Sequence, residues 1–144
     1  MADGLDHSPL ATERLLLLAN DASDVSLISA LAQDAVIGTA DIAWSPKARR
    51  LVLLVNRFRW ETGDATRVRC ALRLEFVTRL QRRAWPRGDA VLDLLAITED
   101  GGALVFVFAA GPTLRAEVEC IDLILEDLSD PWPASRRPQH DAGR

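Results

Sequence analysis

The stretch DIAWSPKARRLVLLVNRFRWE, Asp41 to Glu61, continues through the polar break TGDAT into RVRCALRLEF, which ends at Phe76. Its reading decides the fold class, because two turn-bounded runs of strand-forming residues in this arrangement describe an antiparallel pair. Val68, Cys70, Leu72, Leu74 and Phe76 alternate with Arg67, Arg69, Ala71, Arg73 and Glu75, the period of a strand with one apolar face and one wet face. Leu51 to Trp60 is apolar on both faces in its first half, and in its second half Asn56, Phe58 and Trp60 alternate with Arg57 and Arg59. Ser45-Pro46-Lys47-Ala48 supplies the turn into it from the alternating run Ala40 to Trp44, with proline presetting φ.

Matching the apolar faces places Trp60 opposite Val68, Phe58 opposite Cys70, Asn56 opposite Leu72 and Leu54 opposite Leu74. A slip of one residue would turn every side chain over. In this register Arg57, Arg59, Arg67, Arg69 and Arg73 crowd one outer face, and like charges opposed across strands are unfavourable. Relief comes from Glu75, Glu117 and Glu119 in a cross-strand charge ladder, from an external anion, or from solvent. The five arginines are the candidate anion-binding residues. Nucleic acid is disfavoured: Phe58 and Trp60 point away from Arg57 and Arg59 on a strand, and the sequence pI is about 5.1.

Upstream, Arg14 to Ala19 is a short apolar strand, and Asp21 or Ser23 caps a helix whose apolar residues Val25, Ile28, Leu31, Ala32 and Ala35 keep helical spacing. Downstream, Val77 to Trp85 continues as strand after a bend, Val91 to Thr98 and Leu104 to Ala110 flank the hairpin turn Glu99-Asp100-Gly101-Gly102, and Leu114 to Cys120 alternates again. Ile121, Ile124, Leu125 and Leu128 have the spacing of a short C-terminal helix, which Asp130-Pro131 stops. The expected fold is α+β: about seven antiparallel strands in a strongly bent sheet or half-open barrel, a pleckstrin-homology-like roll, with one N-terminal helix and one short C-terminal helix. A flat two-layer sandwich is the alternative. Residues 1–12 read as a disordered arm, 13–133 as one domain and 134–144 as a disordered tail.

Charge is strongly segregated beneath a net value of −4. Residues 1–43 hold seven acids and one base, residues 44–87 twelve bases and three acids, and residues 88–130 ten acids and one base. No signal peptide or membrane-length apolar run is apparent, so the cytosol is the expected compartment. Cys70 and Cys120 form no metal motif and read as small inward-facing hydrophobes. The only histidines, His7 and His140, lie in the arm and the tail, so neither a Ser-His-Asp nor a Cys-His arrangement is assembled. No cofactor or metal is expected. Trp44 and Trp60 read as core, Trp85 as cover for a barrel end, and Trp132 either folds back on the sheet or anchors a partner.

Three segments carry a family likeness: DIAWSPKARRLVLLVNRFRWE, RVRCALRLEFV and VECIDLILEDLSDPWP, the last running from Val118 to Pro133. Together they resemble an uncharacterised bacterial family of small single-domain proteins classed as a domain of unknown function. The resemblance covers most of Leu15 to Pro133 and implies no activity, catalytic residue or cofactor. The expected role is a non-enzymatic binding or protein-interaction module, with self-association or a partner through a sheet edge or the region of Trp132. Anion binding at the arginine face is the alternative, and an enzyme without a recognisable motif the least supported.

Overall fold

The computed structural model describes residues 14–135 and Pro138, and eleven strands and a single α-helix occur among them. The expected arm, most of the tail, His7 and His140 lie outside the described residues. In chain order the elements are β1 (Leu16–Ala19), α1 (Ala22–Leu31), β2 (Ala35–Gly38), a 3-10 turn (Thr39–Asp41), β3 (Ile42–Ser45), β4 (Arg50–Phe58) and β5 (Thr66–Leu74). There follow β6 (Val77–Arg83), β7 (Val91–Glu99), β8 (Ala103–Phe108), β9 (Thr113–Val118), β10 (Leu123–Asp127) and β11 (Trp132–Pro133).

Local chemistry sets most boundaries. Asp21 caps α1, its carboxylate accepting from the Asp24 amide at 2.9 Å. The helix stops at Leu31 rather than reaching Ala35, because Asp34 takes φ 65° and turns the chain into β2, a strand the helical spacing concealed. The β7–β8 turn is the expected hairpin: Asp100 and Ala103 exchange backbone bonds around Gly101 and Gly102, at φ 54° and 84°. Phe76, at φ 59°, makes the corner that sends the chain from β5 to β6, at the far end of the sheet.

Every strand pairing is antiparallel, in the order β1-β10-β5-β4-β2-β7-β8-β9-β6, with β3 added on β4 and β11 on β5. A single residue pair, Val36 with Asn56, joins β2 to β4. Inward side chains from both sides of that weak junction (Leu51, Leu53, Cys70, Leu72 and Leu125 on one, Leu94, Phe106, Phe108 and Leu114 on the other) belong to one buried cluster. The sheet therefore folds over a shared core, and α1 packs against β1 and β7 with Val25 and Ile28 buried. The sheet does not close, since its end strands β1 and β6 do not pair with each other.

Two expectations are corrected here. The C-terminal helix is absent: residues 123–127 form β10, a central strand between β1 and β5, with Leu123, Leu125 and Asp127 inward. The β4–β5 register also differs, with Leu51 opposite Leu74, Val55 opposite Cys70 and Phe58 opposite Arg67. That is an odd displacement from the apolar match, so β4 presents its other face to the core, and Arg57 goes inward with Leu51, Leu53 and Val55. Because Leu51 to Val55 is apolar on both sides, hydrophobicity alone leaves the parity of β4 undetermined.

Candidate functional site

The five arginines expected on one face are divided by the sheet. Arg57 is fully buried and Arg59 2% exposed, whereas Arg67, Arg69 and Arg73 lie half-buried on the opposite side of β5. Arg57 sits between two carboxylates. Its Nε and Nη2 donate to Asp127 Oδ1 and Oδ2 at 2.9 Å each, and its Nη1 and Nη2 donate to Glu61 at 3.0 and 2.7 Å. A longer bond from Nη1 to the Phe58 carbonyl, at 3.4 Å, occupies the last of five donors. Burial disfavours the guanidinium charge, but the bonds it donates to Glu61 and then Asp127 outweigh it and raise the Arg57 pKa above its ordinary value. Asp127 also accepts the Leu15 amide at 3.0 Å, so the ion pair ties β4, β10 and the entry to β1 together. A centre so fully bonded internally is structural. It has no donor to offer a ligand.

Arg59 donates to the Thr66 hydroxyl at 3.1 Å, within a loop where the Thr62 and Thr66 hydroxyls both bond the Asp64 carboxylate and hold its pKa below the ordinary range. Arg67 donates to the Asn56 carbonyl at 2.9 Å and stands over the Phe58 ring; burial lowers its pKa. Arg69 bonds the Asn56 side chain at 3.2 Å and lies 3.7 Å from Asp41, and Arg73 lies 3.2 Å from Glu75. Glu75 also accepts from Arg50 at 2.8 Å, and Glu119 from Arg49 at 2.7 Å. Over most of the arginine-rich stretch the guanidinium groups thus have carboxylates beside them, from the acidic third at Arg49 and Arg57 and from elsewhere at Arg50, Arg59, Arg69 and Arg73.

The exception is β6. Arg79, Arg82, Arg83 and, in the loop beyond, Arg87 are exposed, and among the described residues none has a carboxylate partner. Beside β6 lies a cleft of about 300 Å³, lined by Thr39, Ile42, Trp44, Leu80, Arg82, Trp85 and Leu114. It occupies the seam between two strands that do not pair with each other: among the described residues β3 pairs only with β4 and β6 only with β9, and both contribute walls. One end of the seam is pinned by the Val77 amide, which donates to the Arg49 carbonyl at 2.9 Å. Trp85 is fixed edge-on against Phe108, ring centroids 5.8 Å apart. Sequence periodicity did not single out this site, because its walls come from strands more than thirty residues apart; the dense arginines of QRRAWPR, residues 81–87, were the available signal.

The remaining candidates fall elsewhere. Trp132 pairs in β11 opposite Arg67 and is 37% exposed, so it lies back along β5 without being covered. Trp60 stacks edge-on with Phe58 at 4.7 Å and donates to the Gln33 carbonyl at 2.9 Å. Cys70 is buried, and burial, followed by the Asp127 carboxylate, pushes its thiol up to about 12. Cys120 is exposed, contrary to expectation, since β9 ends at Val118 and residue 120 lies in the connection to β10. No group of three or more His, Cys, Asp or Glu able to hold a metal occurs among the described residues. No helix among them is long and apolar enough to cross a membrane.

Against known families, the model described as a protein of unknown function, DUF2948, matches residues 15–140. No curated protein and no solved structure matches the chain.

Proposed function

We propose that this chain, which belongs to the DUF2948 family of proteins of unknown function, is a non-catalytic binding module that holds an anionic ligand at the seam between β3 and β6. The observation that carries the reading is the coincidence of four exposed arginines, without carboxylate partners among the described residues, with a cleft walled by two tryptophans. Arg82 is the one ionisable side chain in the lining, an arrangement suited to holding a negative charge and poorly suited to passing a proton between an acid and a base. Apolar walls with one convergent charged group are the usual make-up of a ligand site, and 300 Å³ admits a small molecule or one side chain. A half-open roll in a cytosolic setting is part of the same proposal; the open seam, rather than a C-terminal helix, is what the roll contributes.

Calorimetry and thermal shift against inorganic phosphate, tripolyphosphate and an aryl phosphate test it. The expected result is saturable binding that Arg82→Ala weakens roughly tenfold, the worth of one charge-assisted contact, while Arg69→Ala/Arg73→Ala leaves it unchanged. Absence of binding by all three anions, or equal binding by Arg82→Ala, overturns the proposal. A second reading, a protein partner or a second copy at Trp132, draws support from the exposure of that indole on an edge strand. Trp132→Ala would then dissociate an oligomer visible by light scattering.

A further inference from the structure

We infer that the seam takes an extended acidic segment of another protein, added as a strand along the free edge of β6. The inference rests on the anion-binding reading and narrows its ligand. Among the described residues, β6 beyond Val77 has backbone partners on one side only, in β9, so its other edge presents N–H and C=O groups that none of them pairs, beside the cleft. Such an edge is a template for one more strand: main-chain bonds hold the peptide, and pockets for alternate side chains select it.

The side chains of β6 specify which strand fits. Leu80 and Arg82 line the cleft, while Arg79 and Arg83 occupy the alternate positions, in register with Glu117 and Thr113 of β9. An added strand therefore meets arginine on both faces. On one side it meets Arg82 next to an apolar hollow sized for a single side chain, and on the other Arg79 and Arg83. Acidic residues interrupted by one apolar residue satisfy that pattern. A second copy of β6 does not, because arginine would oppose arginine, and the charges that guard this edge against self-pairing also select its partner. A polynucleotide fits less well. It has no N–H and C=O rows to match the edge, and Trp44 and Trp85 are half-buried rather than presented as stacking platforms.

The probe is a capped, fluorescein-labelled peptide of roughly seven residues, a usual strand length, in which glutamate alternates with leucine. Binding is followed by anisotropy with the whole protein, beside three comparisons: the lysine counterpart, the same peptide backbone-methylated at every second nitrogen in either phase, and oligouridylate with tripolyphosphate. The expected result is binding of the glutamate peptide, none of the lysine peptide, and a loss of at least about tenfold for one methylation phase only, since one set of amides faces β6. Arg82→Ala/Arg83→Ala, at exposed positions, should lower peptide affinity by a further factor on that order, with an unchanged melting temperature showing that the fold is intact. Equal binding of both methylated forms, or of the arginine variant, overturns strand addition. Binding of tripolyphosphate or oligouridylate without the glutamate peptide overturns the inference and leaves the anion site standing. If no probe binds, both fall together.

Discussion

Arg57 and Asp127 show how two residues decide the register of two strands. In sequence each looks like a surface charge: Arg57 alternates with Phe58 in RFRW, and Asp127 sits in an acidic run, residues 126–130. Placing both inside satisfies each with the other, and it restores the alternation of β4 and β10 as core strands. A buried pair that is broken costs more than it contributes when intact, because the survivor stays charged and desolvated. Asp127→Ala is therefore expected to destabilise the fold by roughly 3–5 kcal/mol, read by urea denaturation. The double replacement Arg57→Met/Asp127→Leu should cost clearly less than that single change, and an equal or larger cost would refute the mechanism. Cys70, opposite Asp127, allows a second measurement. The folded chain keeps its thiol proton up to about pH 12 where an ordinary thiol releases it near 9.0, so the stability tied to this proton is complete below pH 9.0 and lost as pH rises toward 12. With no tyrosine and one lysine in the chain, the alkaline limb is open to inspection. Cys70→Ala should flatten the fall in urea midpoint over that range, and a thiol reagent should find one reactive group, Cys120, before unfolding and two after.

At the scale of elements, the contrast between β10 and β6 is the informative one. Flanked by β1 and β5, β10 has partners on both edges, whereas among the described residues β6 has them on one. Amide exchange should follow: uniformly slow across Leu123–Asp127, and alternating along Val77–Arg83, with every second amide fast. Uniform protection of β6 would mean that its edge is covered, and the seam would lose its role. The same contrast explains what was legible beforehand. Segments whose inward residues are all apolar, such as Val68 to Leu74, could be read directly from their period, as could the β7–β8 turn with its paired glycines. β10 was not, since its third inward position is a carboxylate and the remaining apolar residues fit a helix equally well. The candidate site was less legible still. Strand alternation locates the faces of β3 but not those of β6, whose apolar Val77 and Leu80 are three apart across a register shift, and it does not reveal that the two strands border one cleft; that follows from the Phe76 corner and the long path of the sheet.

For the whole molecule, folding gives most of the described arginines a carboxylate. Arg49 with Glu119 and Arg57 with Asp127 join the basic middle of the chain to its acidic third at 2.7 and 2.9 Å, whereas Arg50 with Glu75 and Arg115 with Asp100 pair within one segment and Arg14 with Asp130 joins the two acidic ones. The cation excess left over is concentrated on β6 and its following loop, in a chain whose net charge is −4. These two populations of arginine should respond differently to salt. Exposed pairs contribute about 0–1 kcal/mol each and lose part of that on screening, and the buried Arg57 centre is shielded from ions. Melting temperature is thus expected to change little between low salt and about 0.5 M, where the screening length has shrunk to a few ångströms. Association at β6 draws on unneutralised charge and should weaken steeply over the same range, on the order of tenfold or more for the acidic peptide. Parallel scanning calorimetry and anisotropy on one salt series decide the matter. If stability and affinity fell together, the arginines of β6 would belong to the fold's own electrostatics; affinity falling alone assigns them to a partner.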